Sequence, residues 1–320
     1  MNKVVKLIKN RSDIGGGTRG ADLGIDALEI AAINQGSEYF NAYTYEDVKT
    51  HNESIYDKNQ NTFAKRIEFV LEQCTRLSYA VKRNLEAHFL PIVLSGDQSS
   101  ALGTISGIKA VYPHKTLGVV WIDAHPDLHS PYTSPSGNVH GMPLAAVLGL
   151  DNLKCQINDI IPETQKHWEQ MQNIGTEGAK IDAEHLIYFG VRDIEEAEDK
   201  QIAELNIKNF KVEEIRYKGL KYCVDKALTQ LANCDIIYIS FDVDALDCDL
   251  ISNGTGTPVA KGFDQYEVMA IINQIIASQK VICVELCEIN PLLDTKGNKM
   301  AETAFQVLEQ ITSTLILPFE

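Results

Sequence analysis

The stretch LGVVWIDAHPD, residues 117–127, decides the fold class. Its first part, Leu117–Ile122, is a short run rich in Val, Ile and Trp, which is typical of a strand buried on both faces. Asp123, His125 and Asp127 follow directly. Because strands buried on both faces belong mainly to parallel sheets, the stretch predicts a central strand that carries polar side chains at its carboxyl end.

Similar apolar runs recur along the chain at Pro91–Leu94, Leu186–Val191, Ile236–Phe241 and Val281–Leu286. Helical periodicity predicts helices between or after them, over residues 62–85, 99–111, 222–233, 264–278 and 301–312. The alternation predicts an α/β fold with a central, mostly parallel sheet that is covered by helices on both faces. The most loop-like stretches are Ser37–Asn61 and Ser130–Gly141, with an irregular polar region from Asp151 to Glu184. Since no repeat or linker interrupts the pattern, we expect one domain over residues 1–320.

Composition excludes several classes of function. The formal net charge is −15 and no Lys/Arg-rich block occurs, which argues against nucleic acid or an anionic membrane as partner. No apolar run is long enough for a transmembrane helix or a signal peptide. The seven cysteines show no CxxC pair or zinc-type spacing, so we expect reduced thiols. These features predict a cytoplasmic protein.

Polar side chains follow all five predicted strands. They are Ser95-Gly96-Asp97-Gln98, the Asp123 cluster, Asp193 with Glu195, Asp242 with Asp244, and Glu288. Ligand sites in open parallel sheets lie beyond the carboxyl ends of the strands. The sequence therefore predicts that these side chains meet in one site at one edge of the sheet.

The acidic clusters predict a metal centre. Carboxylates and an imidazole suit Mn²⁺ or a similar cation, whereas thiolates would have indicated zinc or iron–sulfur. Four aspartates and His125 are more ligands than one ion needs, and two ions about 3.5–4 Å apart would ionise a shared water for hydrolysis. An aspartate at a strand end can instead cap a turn. That alternative is less favoured because two clusters occupy equivalent places.

His140 and Glu288 are further candidates. His140 lies in a polar loop, where a histidine is more often a surface or structural residue. Beside a metal centre it could carry protons, because an imidazole titrates near neutrality. Glu288 follows a buried strand, where a carboxylate needs a cationic partner, and a guanidinium is a natural one.

Several segments together resemble the arginase/agmatinase (ureohydrolase) family. They are Asp123–Asp127, Thr133–Pro143 (TSPSGNVHGMP), Ser240–Asp247 (SFDVDALD), Gly254–Pro258 (GTGTP) and the tail from Glu285 to Thr303. The resemblance runs from about Gly15 to the C terminus. It implies a three-layer α/β/α sandwich, two Mn²⁺ ions per subunit, a guanidino substrate and a homo-oligomer, either a trimer or a hexamer.

The resemblance also implies a role for each site residue. Asp123 and Asp242 would bridge the ions, Asp127 would bind one ion and the bridging hydroxide, and His125 and Asp244 would bind the other ion. The hydroxide would attack the guanidinium carbon, with Glu288 orienting the guanidinium and His140 passing a proton to the departing amine. The amino-acid end of the substrate would meet Ser136, Asn138, Asp193 and Glu195. The implied reaction is hydrolysis of L-arginine to L-ornithine and urea.

Two departures from the family pattern bear on this expectation. Gln98 stands where the family places a metal-binding histidine, and an amide oxygen is a weaker ligand than imidazole. His129 stands where arginases commonly carry an asparagine for the substrate carboxylate, and it could donate a hydrogen bond there or reach a metal. Agmatinase, guanidinobutyrase or hydroxyarginine hydrolase activity stays open, and formiminoglutamase fits less well. The alternative from another class is a non-catalytic relative with an impaired metal site.

Overall fold

The computed structural model describes residues 4–56 and 61–317. Its strands are β1 (Val4–Asn10), β2 (Tyr45–Asp47), β3 (Phe89–Ser95), β4 (Leu117–Ile122), β5 (Leu186–Phe189), β6 (Lys208–Phe210), β7 (Ile236–Asp242) and β8 (Val281–Cys287). They form one sheet in the order β2-β1-β3-β8-β7-β4-β5-β6, and every pairing is parallel. The carboxyl ends of β3, β8, β7, β4 and β5 therefore lie side by side.

Helices cover both faces of the sheet. They are α1 (Gly24–Asn34), α2 (Tyr39–Ala42), α3 (Ile67–Glu86), α4 (Ser100–Val111), α5 (Pro143–Leu148), α6 (Pro162–Gln172), α7 (Glu196–Leu205), α8 (Val212–Lys218), α9 (Leu220–Gln230), α10 (Gln265–Ile276) and α11 (Lys299–Ile316). One apolar cluster joins the sheet to α1, α9, α10 and α11, and a second joins it to α3, α4, α5 and α6. The predicted three-layer α/β/α sandwich is confirmed.

The position of α4 is fixed by its close packing on α3. A Cβ added to Gly103 would lie 2.6 Å from the carbonyl oxygen of Cys74, and one added to Gly107 would lie 2.6 Å from that of Ser78. Only glycine permits this approach of two helix backbones. Since α4 begins two residues after Gln98, the packing also positions the loop that carries Gln98.

The five predicted strands and five predicted helices are confirmed, with shifts at their ends. Two of the loop assignments were wrong in part. The polar region from Asp151 to Glu184 contains α6, which buries only Thr164, Trp168 and Met171 and so has a weak apolar pattern. The stretch Ser37–Asn61 contains α2 and β2, while its residues 57–60 lie outside the described part. Ser130–Gly141 is a loop, with a single helical turn at its end.

Strand β1 was not predicted because two lysines interrupt its apolar run. Lys9 is nevertheless buried, with its Nζ 2.6 Å from Glu29 and 3.8 Å from the centre of the Tyr45 ring.

No helix in the described part of the chain is long and apolar enough to cross a membrane.

Candidate active site

A cavity of about 250 Å³ opens at the carboxyl ends of the central strands. Twelve of the thirteen predicted site residues line it, namely Gln98, His125, Asp127, His129, Ser136, Asn138, His140, Asp193, Glu195, Asp242, Asp244 and Glu288. Asp123 does not line the cavity; it is 1% exposed and lies against His125 and Asp244. The predicted convergence of strand ends on one site is therefore observed.

Three of the predicted residues form a group that could hold a cation. The ligand atoms of Asp123, His125 and Asp244 lie within 4.8 Å of one another. His125 Nδ1 is 2.9 Å from Asp244 Oδ2 and 3.6 Å from Asp123 Oδ1. Backbone amides of the loop hold the carboxylates, since His125 N donates to Asp123 Oδ1 at 2.7 Å and Ala124 N donates to Asp244 Oδ1 at 3.2 Å. We call this trio the histidine half of the site.

One oxygen of the histidine half lacks a partner. Asp123 Oδ2 is buried and accepts no hydrogen bond within the described part of the chain. A buried carboxylate oxygen without a partner is strongly unfavourable, because its hydration has been lost without compensation. A cation bound by Asp123 would satisfy it, so the residues present fit a divalent metal.

The pKa values of the aspartates indicate the same need for a cation. Burial and the neighbouring Asp244 raise the pKa of Asp123 to about 7. Burial and nearby carboxylates raise the pKa values of Asp127 and Asp242 well above the ordinary range. Burial acts to raise the pKa of Asp244 too, but His125 lowers it below its usual value. Four carboxylates this close can all be ionised only around a positive charge.

The remaining predicted ligands, Gln98, Asp127 and Asp242, line the same cavity, and we call them the glutamine half. Gln98 is 1% exposed. Its Nε2 donates to Ser240 Oγ at 2.9 Å, and its Oε1 is in contact with Cys287 Sγ. The Cys287 thiol also lies 3.6 Å from Asp242 Oδ2. Neutral groups therefore hold Gln98, whereas carboxylates hold His125.

His140 and Glu288 form a pair beside the glutamine half. His140 Nδ1 is 2.9 Å from Glu288 Oε1, and the backbone N–H of Gln98 donates to the same oxygen at 2.9 Å. Burial alone would lower the pKa of His140, but Glu288 raises it above its ordinary value. Glu288 also has a positive φ of 65°, a conformation that is rare outside glycine and tends to mark functional sites.

Asp193, Glu195, Ser136 and Asn138 lie on the rim of the cavity. Asp193 Oδ2 is 3.6 Å from His125 Nε2, and the Glu195 side chain is 56% exposed. On the other side, Ser136 Oγ accepts from Asn138 N at 3.2 Å, and Lys65 Nζ donates to Asn138 Oδ1 at 3.2 Å. Acidic and neutral groups thus occupy separate parts of the rim.

His129 does not join the histidine half. Its Nδ1 is 3.1 Å from Thr133 Oγ1, and its Nε2 lies 3.4 Å from Glu195 Oε2 and 3.5 Å from Glu198 Oε2. Burial lowers its pKa to about 4, so the imidazole is neutral at neutral pH. His129 faces the acidic part of the rim, and its ring nitrogens do not belong to the cluster of Asp123, His125 and Asp244.

Sequence reasoning missed four lining residues: Ser134, Gly141, Glu198 and Thr257. Glu198 accepts from Leu128 N at 3.1 Å and from Glu195 N at 3.2 Å, and burial raises its pKa to about 7. Its position three residues after Glu195, at the start of a helix, is the capping pattern that could have identified it. Thr257 donates to Asp244 Oδ2 at 3.1 Å.

The arginase-family model matches residues 5–313. The chain belongs to the arginase family of ureohydrolases. It is 32% identical to an arginase of Bacillus subtilis, over 99% of this chain and 100% of that one. The crystal structure of an arginase from Bacillus caldovelox covers 99% of each chain at 30% identity with a TM-score of 0.82. The crystal structure of an Entamoeba histolytica arginase in complex with L-ornithine covers 98% of this protein and 99% of that chain, at 26% identity and a TM-score of 0.80.

Proposed function

We propose that this protein is a manganese-dependent arginase that hydrolyses L-arginine to L-ornithine and urea. The observation that carries the proposal is the buried cluster of Asp123, His125 and Asp244 at the base of a cavity that also contains the Glu288–His140 pair. Within this family, that combination suits a cationic guanidino substrate and a hydrolytic reaction. The E. histolytica arginase solved with L-ornithine, the amino-acid product of arginine hydrolysis, supports the choice of substrate.

The base of the cavity would hold two Mn²⁺ ions. The histidine half would bind one, and Gln98, Asp127 and Asp242 would bind the other, with Asp123 and Asp242 shared between them. When bound, two such ions lower the pKa of a shared water and supply hydroxide as the nucleophile. Thr257 would hold Asp244 in position through its bond of 3.1 Å to Oδ2.

Glu288 would bind the guanidinium of the substrate. Its Oε1 accepts from His140 and from the Gln98 backbone, which fixes the carboxylate in place. A planar guanidinium forms strong charge-assisted hydrogen bonds with a carboxylate held in this way. His140, whose pKa is raised by Glu288, would carry a proton near neutral pH and deliver it to the departing amine.

The rim would select the amino-acid end of the substrate. Asp193 and Glu195 offer carboxylates to an α-ammonium group, while Ser136 and Asn138 offer hydrogen bonds to an α-carboxylate. Since these groups occupy separate parts of the rim, they favour a substrate that carries both charges. The predicted role of His129 in binding that carboxylate is less favoured, because its Nε2 lies beside Glu195 and Glu198.

Agmatine is a second candidate substrate. Among the described residues that line the cavity there is no lysine or arginine, so an α-carboxylate meets neutral donors there. Agmatine has no carboxylate and would not depend on those donors.

The non-catalytic alternative rests on Gln98, whose amide already has partners within the protein.

Urea release is the test of the proposal. The full-length protein is incubated with graded Mn²⁺ and assayed with L-arginine, agmatine and hydroxyarginine. We expect L-arginine to be the best substrate. Full activity should require more Mn²⁺ than one bound ion per subunit. Better turnover of agmatine than of L-arginine would assign agmatine as the substrate. No turnover of any compound at saturating Mn²⁺ would favour the interpretation of a non-catalytic relative.

An Asn138→Asp variant separates arginine from agmatine more sharply. The substitution keeps the shape of the side chain but places a negative charge near the predicted position of the substrate carboxylate. We expect a higher KM for L-arginine and little change for agmatine. Size-exclusion chromatography with light scattering tests the further prediction of a trimeric or hexameric assembly, since it gives the molar mass directly. A single cooperative unfolding transition would support the prediction of one domain.

A further inference from the structure

Arg192 is a half-buried arginine in the loop after β5, and the proposed reaction does not use it. Within residues 4–56 and 61–317, every hydrogen bond that its side chain donates goes to a backbone carbonyl oxygen. The acceptors are Gly190 at 3.1 Å, Asp244 at 2.9 Å, Ala245 at 3.3 Å, Leu246 at 3.3 Å, Val259 at 2.8 Å and Ala260 at 3.0 Å. A guanidinium presents five N–H donors in one plane, so only arginine can bind so many carbonyl groups at once.

The acceptors belong to two segments that are separate in sequence. One is the turn at residues 244–246, which follows β7, and the other is the stretch at residues 259–260. Arg192 Nη2 joins them, because it donates to Asp244 O at 2.9 Å and to Val259 O at 2.8 Å. The guanidinium also packs closely on Gly262, where an added Cβ would lie 2.6 Å from Nη2.

The two segments carry groups of the histidine half. Asp244 Oδ2 is 2.9 Å from His125 Nδ1 and accepts from Thr257 Oγ1 at 3.1 Å. Thr257 stands two residues before Val259, and the backbone N–H of Arg192 donates to Ala124 O at 2.8 Å, next to His125. One arginine therefore connects the loops that supply Asp244, Thr257 and His125.

We propose that Arg192 is a positioning residue that holds Asp244 and Thr257 in the arrangement that binds the cation of the histidine half. This inference rests on the proposed function, because it requires a cation there. Lysine could not replace Arg192, since an ammonium has three donors on one nitrogen and cannot span both segments.

Backbone hydrogen bonds also join the two segments. Phe263 N donates to Ala245 O at 3.0 Å, and Asp247 N donates to Phe263 O at 2.9 Å. These bonds do not involve Arg192, so the segments should stay attached when the guanidinium is removed. We therefore expect a loss of Arg192 to alter the position of the ligands more than the fold.

Manganese binding tests the inference independently of turnover. Metal-free full-length protein is titrated with Mn²⁺ by calorimetry, and His125→Asn identifies the binding step that belongs to the histidine half. In Arg192→Lys we expect this step to weaken by about 10–100-fold, as for other residues that orient a ligand, while the other step stays unchanged. Gly262→Ala, which crowds Nη2, is the second variant should Arg192→Lys not fold, and it should weaken the same step.

Arg216→Lys is the matched control. Arg216 holds the same stretch of chain, because its Nη2 donates to Gly262 O at 3.0 Å, but its other bonds go to Glu267 and none goes to residues 244–246. We expect both Mn²⁺ steps to stay unchanged in this variant. Thermal unfolding of the metal-free proteins is measured alongside, since an arginine with a purely structural role would lower the unfolding temperature and leave Mn²⁺ affinity unchanged.

A double variant tests the route of the effect. If Arg192 holds Thr257 against Asp244, the two side chains act on one arrangement and their effects should not be additive. Arg192→Lys should therefore weaken Mn²⁺ binding less in a Thr257→Val background than in the natural protein.

Each outcome decides between the claims. Two bound ions in the natural protein, with an unchanged histidine-half step in Arg192→Lys and Gly262→Ala, would overturn the inference alone. An effect of Arg192→Lys that is equally large in the Thr257→Val background would also overturn it. A single bound ion that Arg192→Lys weakens would support the inference and contradict the two-ion site of the proposed function. No bound ion at saturating Mn²⁺ would contradict both.

Discussion

The two halves of the site use different chemistry to hold their ligands. In the histidine half, charges orient one another, because the His125 imidazole lies between Asp244 and Asp123 at 2.9 and 3.6 Å. In the glutamine half, the neutral Gln98 side chain is held by Ser240 and Cys287. A neutral amide has little intrinsic preference for one orientation, so its direction must come from the surrounding hydrogen bonds.

This difference explains why the halves should bind a cation unequally. A protonated His125 can stand in for the metal ion in its own half, so the ligands are already assembled. Gln98 offers a weaker ligand atom and depends on residues outside the cavity for its orientation. We therefore expect the histidine half to bind Mn²⁺ more tightly than the glutamine half.

The largest effect should follow from His125→Asn. Removing the imidazole deletes a ligand and leaves buried carboxylates without their partner, so the tighter Mn²⁺ site should weaken by more than the roughly 10–100-fold typical of an orienting residue. Calorimetric titration measures the loss, and urea release should fall with it. His114→Asn changes an exposed histidine outside the site and serves as control. Unchanged tight binding in His125→Asn would contradict the assignment of this half.

A smaller effect is expected on the free energy of unfolding, which should depend on pH through Glu198 at the cavity. The pKa of Glu198 is about 7 in the folded protein against an ordinary value of 4.5, so the folded state holds the proton more tightly than the unfolded state. Its ionisation therefore destabilises the fold progressively as pH rises from about 4.5 to 7, by about 3 kcal/mol. Glu198→Gln removes this titration.

The free energy of unfolding by denaturant, measured across that pH range, checks this prediction. The natural protein should lose stability relative to Glu198→Gln as pH rises. A constant difference between the two proteins would show that Glu198 has an ordinary pKa.

The smallest effect should follow from Gln98→His. Imidazole is the better ligand for this type of ion, so the Mn²⁺ concentration that gives half-maximal urea release should fall by about tenfold, or about 1.4 kcal/mol. Gln98→Leu, which has no ligand atom, should require more Mn²⁺ than the natural protein. An equal requirement in all three proteins would mean that position 98 does not bind metal.

The base of the site was predictable because strands fix it. Residues such as Asp123 and Asp242 stand directly at the ends of buried apolar runs, and the parallel sheet brings those ends together. Strand β1 and helix α6 were not predictable in the same way. Their apolar patterns are interrupted by lysines or confined to a few buried side chains, and tertiary packing stabilises them.

The rim and the surroundings of Gln98 were harder to predict. Glu198 reaches the cavity because α7 begins at Glu196, a boundary indicated only by the short capping pattern from Glu195 to Glu198. Glu285 was left without a role, and its hydroxyl partners come from β3, α4 and β7, which are distant in sequence. The sequence indicates that Gln98 departs from the family pattern, but only the folded chain places Ser240 and Cys287 beside its amide.

Titration of the metal-free protein with Mn²⁺ tests the central claim most directly. The account predicts two ions in two separate steps, with the tighter step lost in His125→Asn and the weaker step lost in Gln98→Leu. Two ions bound with equal affinity, or loss of the tighter step in Gln98→Leu, would contradict the unequal halves on which the account depends.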